Sequence, residues 1–129
     1  MRWFESSHPS KPVGGMLPRP LKDALDAFSA GNLQDAAGCF SEDAVYRELR
    51  RPAMIGRAAI ADHFAAFAAS GTAWRFVVEE VIIDSDRACV TYLFSVGGGT
   101  GQPMRERAGC AIVHLDGRGQ IAEWREYEG

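Results

Sequence analysis

Four consecutive strand-like segments fill the second half of the chain, and they constrain the fold more than any other feature. They cover residues 72–83, 88–96, 104–115 and 121–127. Each is rich in β-branched and aromatic residues, and Gly- or Asp-rich turns separate them. Consecutive strands joined by short turns pair antiparallel, because their ends are already close together. The second half therefore predicts an antiparallel sheet.

Helical patterns occupy the first half. Apolar residues fall at helical spacing in residues 21–28, 33–40 and 58–69, and a Gly-Asn pair separates the first two segments. Residues 44–49 form a short strand candidate before the third helix. The predicted order is ααβαββββ. Helices that cluster early and strands that cluster late indicate the α+β class.

Residues 1–20 show no apolar period and contain four of the six prolines. We interpret them as an extended N-terminal arm, and residues 21–129 as a single domain. Glu5 and His8 interrupt the apolar residues near the start, so we expect no signal peptide. No segment approaches the ~18 apolar residues of a membrane span. We therefore expect a cytoplasmic protein that does not act at membranes.

Charge and cysteine content exclude further classes. The chain has 14 basic and 17 acidic residues without a basic stripe, which argues against nucleic-acid binding. Its three cysteines are widely spaced, so we expect buried thiols and no disulfide framework. No His, Cys, Asp or Glu cluster has the spacing of metal ligands. We expect neither a metal nor another cofactor.

Three runs of sequence indicate a known family. They are Phe-Ser-Glu-Asp-Ala-Val-Tyr at 40–46, Ile-Gly-Arg-Ala-Ala-Ile at 55–60, and Leu-Asp-Gly-Arg-Gly-Gln-Ile-Ala-Glu-Trp-Arg-Glu-Tyr at 115–127. With their order and spacing, residues 21–128 resemble the NTF2-like superfamily, which includes SnoaL-like polyketide cyclases, ketosteroid isomerases and limonene-epoxide hydrolases. The resemblance implies a cone in which a strongly curved, mostly antiparallel sheet and three N-terminal helices surround a pocket.

The ketosteroid isomerases of that superfamily match only in part. Glu48 occupies the place of their proton-transferring carboxylate. Their two oxyanion donors, a Tyr and an Asp, fall on Ala24 and Ala111. Alanine cannot donate a hydrogen bond to a developing oxyanion, and this stabilisation is usually the largest catalytic contribution. The resemblance therefore argues against steroid isomerisation by that mechanism.

Limonene-epoxide hydrolases match better. Their water-activating Asp lies in a Trp-Arg-Asp-Tyr run, which here reads Trp-Arg-Glu-Tyr and ends at Tyr127, so the resemblance implies Glu126 as general base. Their water-holding Tyr-x-Asn pair falls on Tyr46 and Glu48. Their Arg-x-Asp pair falls on Leu93-Phe94-Ser95, which supplies neither an Arg nor an acid. Arg107, one strand over, is the candidate replacement for the Arg.

Side chains two apart on a strand share a face, and this spacing predicts one pocket. We expect two carboxylates, a phenol and a guanidinium at its polar end: Glu126, Glu48, Tyr46 and Arg107. We expect the ligand-binding remainder to comprise Trp124, His63, Phe64, Phe67 and Ala111. Alternatively, the carboxylates are surface groups or pair with Arg107, Tyr46 is simple core, and His63 is a structural histidine of the core or rim.

Three functions remain open at this stage. One is a hydrolase, isomerase or cyclase that acts on a small apolar molecule with a polar group. Another is a non-catalytic module that binds such a molecule, and the third is a structural dimer. A homodimer is expected in each case, because period-2 spacing leaves an apolar row on the sheet face opposite the pocket. That row comprises Val45, Cys110 and Ile112. Arg125 and Tyr127 share the face, and Tyr and Arg are enriched at interfaces.

Overall fold

A computed structural model describes residues 17–98 and 101–128. Most of the predicted N-terminal arm therefore lies outside the described residues. The elements are α1 (Arg19–Ala30), α2 (Leu33–Ala37), β1 (Phe40–Arg47), β2 (Met54–Ile55), α3 (Arg57–Ala69), β3 (Trp74–Asp84), β4 (Arg87–Gly97), β5 (Met104–Leu115) and β6 (Ile121–Glu128). They confirm the α+β class. No helix within the described ranges is long and apolar enough to cross a membrane.

Sequence signals explain the ends of the first two helices. Pro20 lies in the first turn of α1, where a missing N–H costs nothing, so this helix begins before the apolar stripe does. Gly31 ends it in the left-handed conformation at φ 80°. The Asn32 side chain then accepts a hydrogen bond from the backbone N–H of Asp35 and caps α2. The helical pattern predicted to reach Phe40 was too long, because Phe40 already begins β1.

The sheet has six strands in the order β2-β1-β6-β5-β4-β3. All neighbours are antiparallel except β1 and β6, which run parallel. The sequence indicated a loop where the two-residue strand β2 lies, because so short a strand has no measurable period. The sheet is curved and unclosed, and β3 contains a bulge between Val78 and Glu80.

Two sheet faces have different surroundings. The inner face packs against the helices and contains the largest fully buried side chains of the strands, among them Trp124, Phe40, Val90 and Val113. The described residues include four exposed large hydrophobic side chains, and alternation along the strands puts all four on the outer face: Ile55, Val77, Met104 and Tyr127. The half-buried side chains of Val45, Cys110 and Ile112 lie on the same outer face. The three cysteines are free thiols.

Candidate active site

A cavity of about 300 Å³ lies between the inner face of the sheet and the helices. Nine of its lining residues are Phe, Tyr or Trp, so its wall is mainly aromatic. The polar lining residues are Tyr46, Glu48, Arg51, His63, Tyr92, Arg107 and Glu126. A cavity that is mostly apolar with a few convergent polar groups has the composition of a small-molecule site.

Glu126 is held at this cavity by two neighbours. The Trp124 Nε1–H donates to Glu126 Oε2 over 3.1 Å, and the Tyr46 hydroxyl donates to the same oxygen over a longer 3.4 Å. The parallel register pairs Tyr46 with Trp124 across β1 and β6. Glu126 is two residues further along β6, so all three side chains share the inner face. Both donors are buried, which fixes the carboxylate.

Burial also changes the acidity of Glu126. Desolvation raises the pKa of its carboxyl above the ordinary value, and the negative charge of Glu48 raises it further. The Trp124 hydrogen bond, the positive charge of Arg107 and the Tyr46 hydrogen bond oppose these effects without cancelling them. Burial, followed by the charges of Glu126 and Glu48, raises the pKa of Tyr46 well above its usual range. Tyr46 is therefore a neutral hydrogen-bond donor at physiological pH.

A second polar group is formed by Glu48 and His63. Glu48 lies one residue beyond β1, and its Oε2 is 3.1 Å from His63 Nε2 on α3. The guanidinium of Arg51 lies 3.8 Å from the other carboxylate oxygen. Both Glu48 and His63 retain 24% side-chain exposure. The structure thus pairs Glu48 with His63 and Arg51, whereas the sequence left open a pair with Arg107.

Arg107 lines the cavity without forming an ion pair with a described carboxylate. Its guanidinium carbon lies 5.6 Å from the ring centroid of Phe94, a cation–π arrangement. The backbone register places Arg107 opposite Phe94, which explains this contact. The positive charge nevertheless acts on Glu126, whose pKa it lowers. The described residues contain no direct salt bridge between Arg107 and Glu126, which was one of the alternatives.

The apolar predictions differ in outcome. Phe64, Phe67 and Trp124 line the cavity, as their spacing indicated. Ala111 does not, although it lies opposite Glu126 on the inner face. It is fully buried and is not part of the cavity wall.

Sequence reasoning missed Tyr92, and it used the wrong residues on β4. Leu93 and Ser95, matched to the hydrolase Arg-x-Asp pair, alternate with Tyr92 and Phe94, and the latter two line the cavity. Leu93 and Ser95 therefore lie on the outer face, where the Ser95 hydroxyl donates to Glu106. In the structure, burial at every second residue through Ala88, Val90 and Tyr92 defines the inner face of β4.

Metal binding finds no support in residues 17–98 and 101–128. No group of three or more His, Cys, Asp or Glu side chains there has the arrangement of a metal site. The polar lining residues instead form two groups: Glu126 accepts hydrogen bonds from Tyr46 and Trp124, and Glu48 lies beside His63. Such an arrangement can transfer protons.

Comparisons with known proteins agree with this architecture. The family model of the SnoaL-like domain matches residues 21–124. No curated protein matches the sequence significantly. Among solved structures, an epoxide hydrolase of the LEH-like type from M. tuberculosis superposes with a TM-score of 0.71 at 16% identity, covering 87% of this chain and 81% of that one.

Two further structures have the same fold. A candidate polyketide cyclase from Sinorhizobium meliloti has a TM-score of 0.70 and 22% identity, with 88% and 98% of the two chains covered. A protein with a ketosteroid isomerase-like fold from Catenulispora acidiphila, solved in complex with trimethylamine, has a TM-score of 0.74 and 14% identity, with 88% of each chain covered. At these identities the similarity shows the fold, and the site must be argued from this chain.

Proposed function

Since this chain belongs to the SnoaL-like domain family, we propose that it is an acid–base catalyst for a small, largely apolar substrate, with Glu126 as the general base. The observation that carries the proposal is the Glu126 carboxylate, which is half-buried at an aromatic cavity and fixed by Trp124 and Tyr46. A general base works best when its pKa lies near the operating pH, and the pKa of Glu126 is displaced in that direction.

The substrate must be compact. The cavity volume of about 300 Å³ lies at the lower end of the range for small-molecule pockets, about 300–1,000 Å³. This favours a one- or two-ring molecule over a steroid-sized one. The aromatic wall favours an apolar body, and the polar end near Glu126 favours one oxygen-bearing group.

Hydrolysis is the reaction that the site supports best. Both positions of the isomerase oxyanion donors are fully buried alanines, so the donor pair of that mechanism is missing. A water molecule bound at Glu126 would give up a proton to the carboxylate as its oxygen attacks the substrate. Tyr46 and Trp124 hold the carboxylate still for this transfer, and positioning of this kind removes an entropic part of the barrier. Glu48 with His63 supplies a second proton-exchanging pair at the same cavity.

The test is Glu126→Gln, which keeps the shape and removes the base. Activity is first sought by screening small epoxides, lactones and enones with the wild type. We expect the variant to lose about 10²- to 10⁴-fold in kcat, the usual contribution of a positioned base. Glu128→Gln is the matched control, because Glu128 is on the same strand but exposed and paired with Arg50. Full activity of Glu126→Gln would show that Glu126 is not the base.

A second candidate function is the binding of a small organic cation without catalysis. Aromatic faces and two carboxylates at one cavity are the groups that hold such cations, and the Catenulispora neighbour was solved with trimethylamine. Tetramethylammonium, followed by the fluorescence of Trp74 and Trp124, is the probe. Saturable quenching that Glu126→Gln weakens, together with no turnover in the screen, would favour this function over hydrolysis.

A further inference from the structure

We infer that the Tyr92 hydroxyl is the hydrogen-bond donor that holds the substrate's oxygen, so that the ligand class is a compact carbonyl, ester or cyclic ether. This inference rests on the proposed function, because it assigns the second half of the same site. Sequence comparison found no oxyanion donor in the chain at the expected positions, Ala24 and Ala111. Tyr92 is at neither place, and its role follows from three independent features of the structure.

The first feature is that the hydroxyl is unpartnered. Tyr92 is 2% exposed and lines the cavity. Its hydroxyl makes no hydrogen bond to any residue in 17–98 or 101–128. In these residues every side-chain nitrogen or oxygen that is closed to solvent has a hydrogen-bond partner, so the Tyr92 oxygen must be accessible. The oxygen therefore opens to the cavity. A hydroxyl that opens to the cavity and has no partner among the described residues is free to donate to an oxygen of a bound ligand.

The second feature is the space that Gly109 leaves for it. Tyr92 on β4 is directly opposite Gly109 on β5. A Cβ placed on Gly109 would lie 2.8 Å from Tyr92 Cε1 and 2.9 Å from its hydroxyl oxygen. The phenol thus lies across the backbone of β5, and only glycine permits that approach. Phe76 stacks on the ring from the other side, with centroids 4.7 Å apart, and fixes its plane.

The third feature is the electrostatic setting. Burial and the charge of Glu126 raise the pKa of Tyr92, and the charge of Arg107 opposes them. The hydroxyl thus feels both groups and stays protonated at neutral pH, as a donor must. When Glu126 takes a proton from water and the water oxygen bonds to an ester carbonyl carbon, the carbonyl electron pair moves to oxygen; when it returns, the C–O bond to the leaving group breaks and the leaving oxygen takes the proton from Glu126. A fixed donor at that oxygen stabilises the new charge.

Carbonyl infrared spectroscopy tests the assignment without requiring turnover. The probes are acetophenone and δ-valerolactone, titrated into the wild-type protein, with binding followed by tryptophan fluorescence. We expect the carbonyl stretch of a bound probe to fall, because the carbonyl oxygen accepts a hydrogen bond. Tyr92→Phe removes only the hydroxyl, so the stretch should return toward its value in an apolar solvent. Loss of one neutral hydrogen bond should weaken binding by about two- to tenfold.

Matched variants separate this role from general damage. Gly109→Ala should abolish the shift by displacing the ring, whereas Gly117→Ala, which has open space at its Cβ, should not. Tyr127→Phe removes an exposed hydroxyl on the outer face and should also change nothing. If a probe binds and Tyr92→Phe leaves its shifted stretch unchanged, the inference is wrong and the proposed pocket stands. If neither probe binds the wild type, the carbonyl class and the proposed substrate description both fail.

Discussion

The hydrogen bond from Trp124 to Glu126 offers the most direct physical test of the site, since its strength depends on the charge of the carboxylate. Trp124 is fully buried and its Nε1 lies 3.1 Å from Oε2. A hydrogen bond to a charged acceptor contributes about 1.5–3 kcal/mol, and one to a neutral acceptor about 0.5–1.5 kcal/mol. The charge-dependent part is therefore about 1 kcal/mol. We expect Trp124→Phe to destabilise the wild type by that much more than it destabilises Glu126→Gln.

A double-mutant cycle isolates this difference. Trp124→Phe also removes packing, including the contact of Trp124 with Phe28 at 5.4 Å, but that loss is common to both backgrounds and cancels. Urea unfolding at pH 7 should be followed by far-ultraviolet circular dichroism, because the tryptophan signal itself changes. Trp74→Phe is the control: Trp74 lines the same cavity but packs on Phe67 and Phe94, so its cycle with Glu126→Gln should show no coupling.

The pH dependence of the coupling makes the test sharper. The pKa of Glu126 is raised in the folded protein, so its carboxyl gains a proton at a higher pH than an ordinary Glu does. The coupling should fall as the pH is lowered through that pKa, because a protonated carboxyl accepts only a neutral hydrogen bond. Zero coupling at pH 7, or a coupling no larger than in the Trp74 cycle, would refute the assignment of an ionised, Trp-bound Glu126.

Two further predictions concern stability and assembly. A carboxyl with a raised folded-state pKa stabilises the fold at acid pH and loses that contribution as pH rises through the pKa, so Glu126→Gln should gain in unfolding free energy over the wild type as the pH rises above 4.5, the ordinary value; a difference independent of pH would contradict this. We also expect a homodimer through the outer face, which Ile112→Asp should dissociate and the helix-surface control Ala66→Asp should not; sedimentation showing only wild-type monomer at micromolar concentration would exclude it.

Part of the site was predictable because short-range rules determine it. Period-2 spacing places Trp124 and Glu126 on one face, and the family resemblance turns that face and the face of Tyr46 toward the pocket. The parallel pairing of β1 with β6, which brings Tyr46 beside them, was not predicted. The partner of Glu48 was not predictable, since Glu48 is beyond the end of β1 and His63 comes from a helix fifteen residues later. Tertiary packing decides whether groups from different elements meet, and the spacing of residues along the sequence does not predict it.

The error on β4 has a different physical origin. Both faces of that strand are apolar enough to be buried, since Leu93 alternates with Tyr92 and Phe94, so hydropathy alone does not distinguish the inner face. The bulge in β3 further prevents the register from being carried over from the neighbouring strand. Gly109 is the residue that indicates the inner face of β4, because a glycine within a strand marks a close approach of another group.

The origins of the lining residues suggest that different parts of the fold determine chemistry and selectivity. The catalytic candidates Tyr46, Tyr92, Arg107 and Glu126 come from four neighbouring strands, so backbone hydrogen bonds fix their relative positions. The helices contribute the apolar lining residues Phe28, Leu33, Phe64 and Phe67, together with His63. Backbone hydrogen bonds set the spacing of neighbouring strands, whereas the helices pack on the sheet through side-chain contacts. Substitution of the helical aromatic residues should therefore alter the size of the accepted substrate, while the geometry of proton transfer at Glu126 persists.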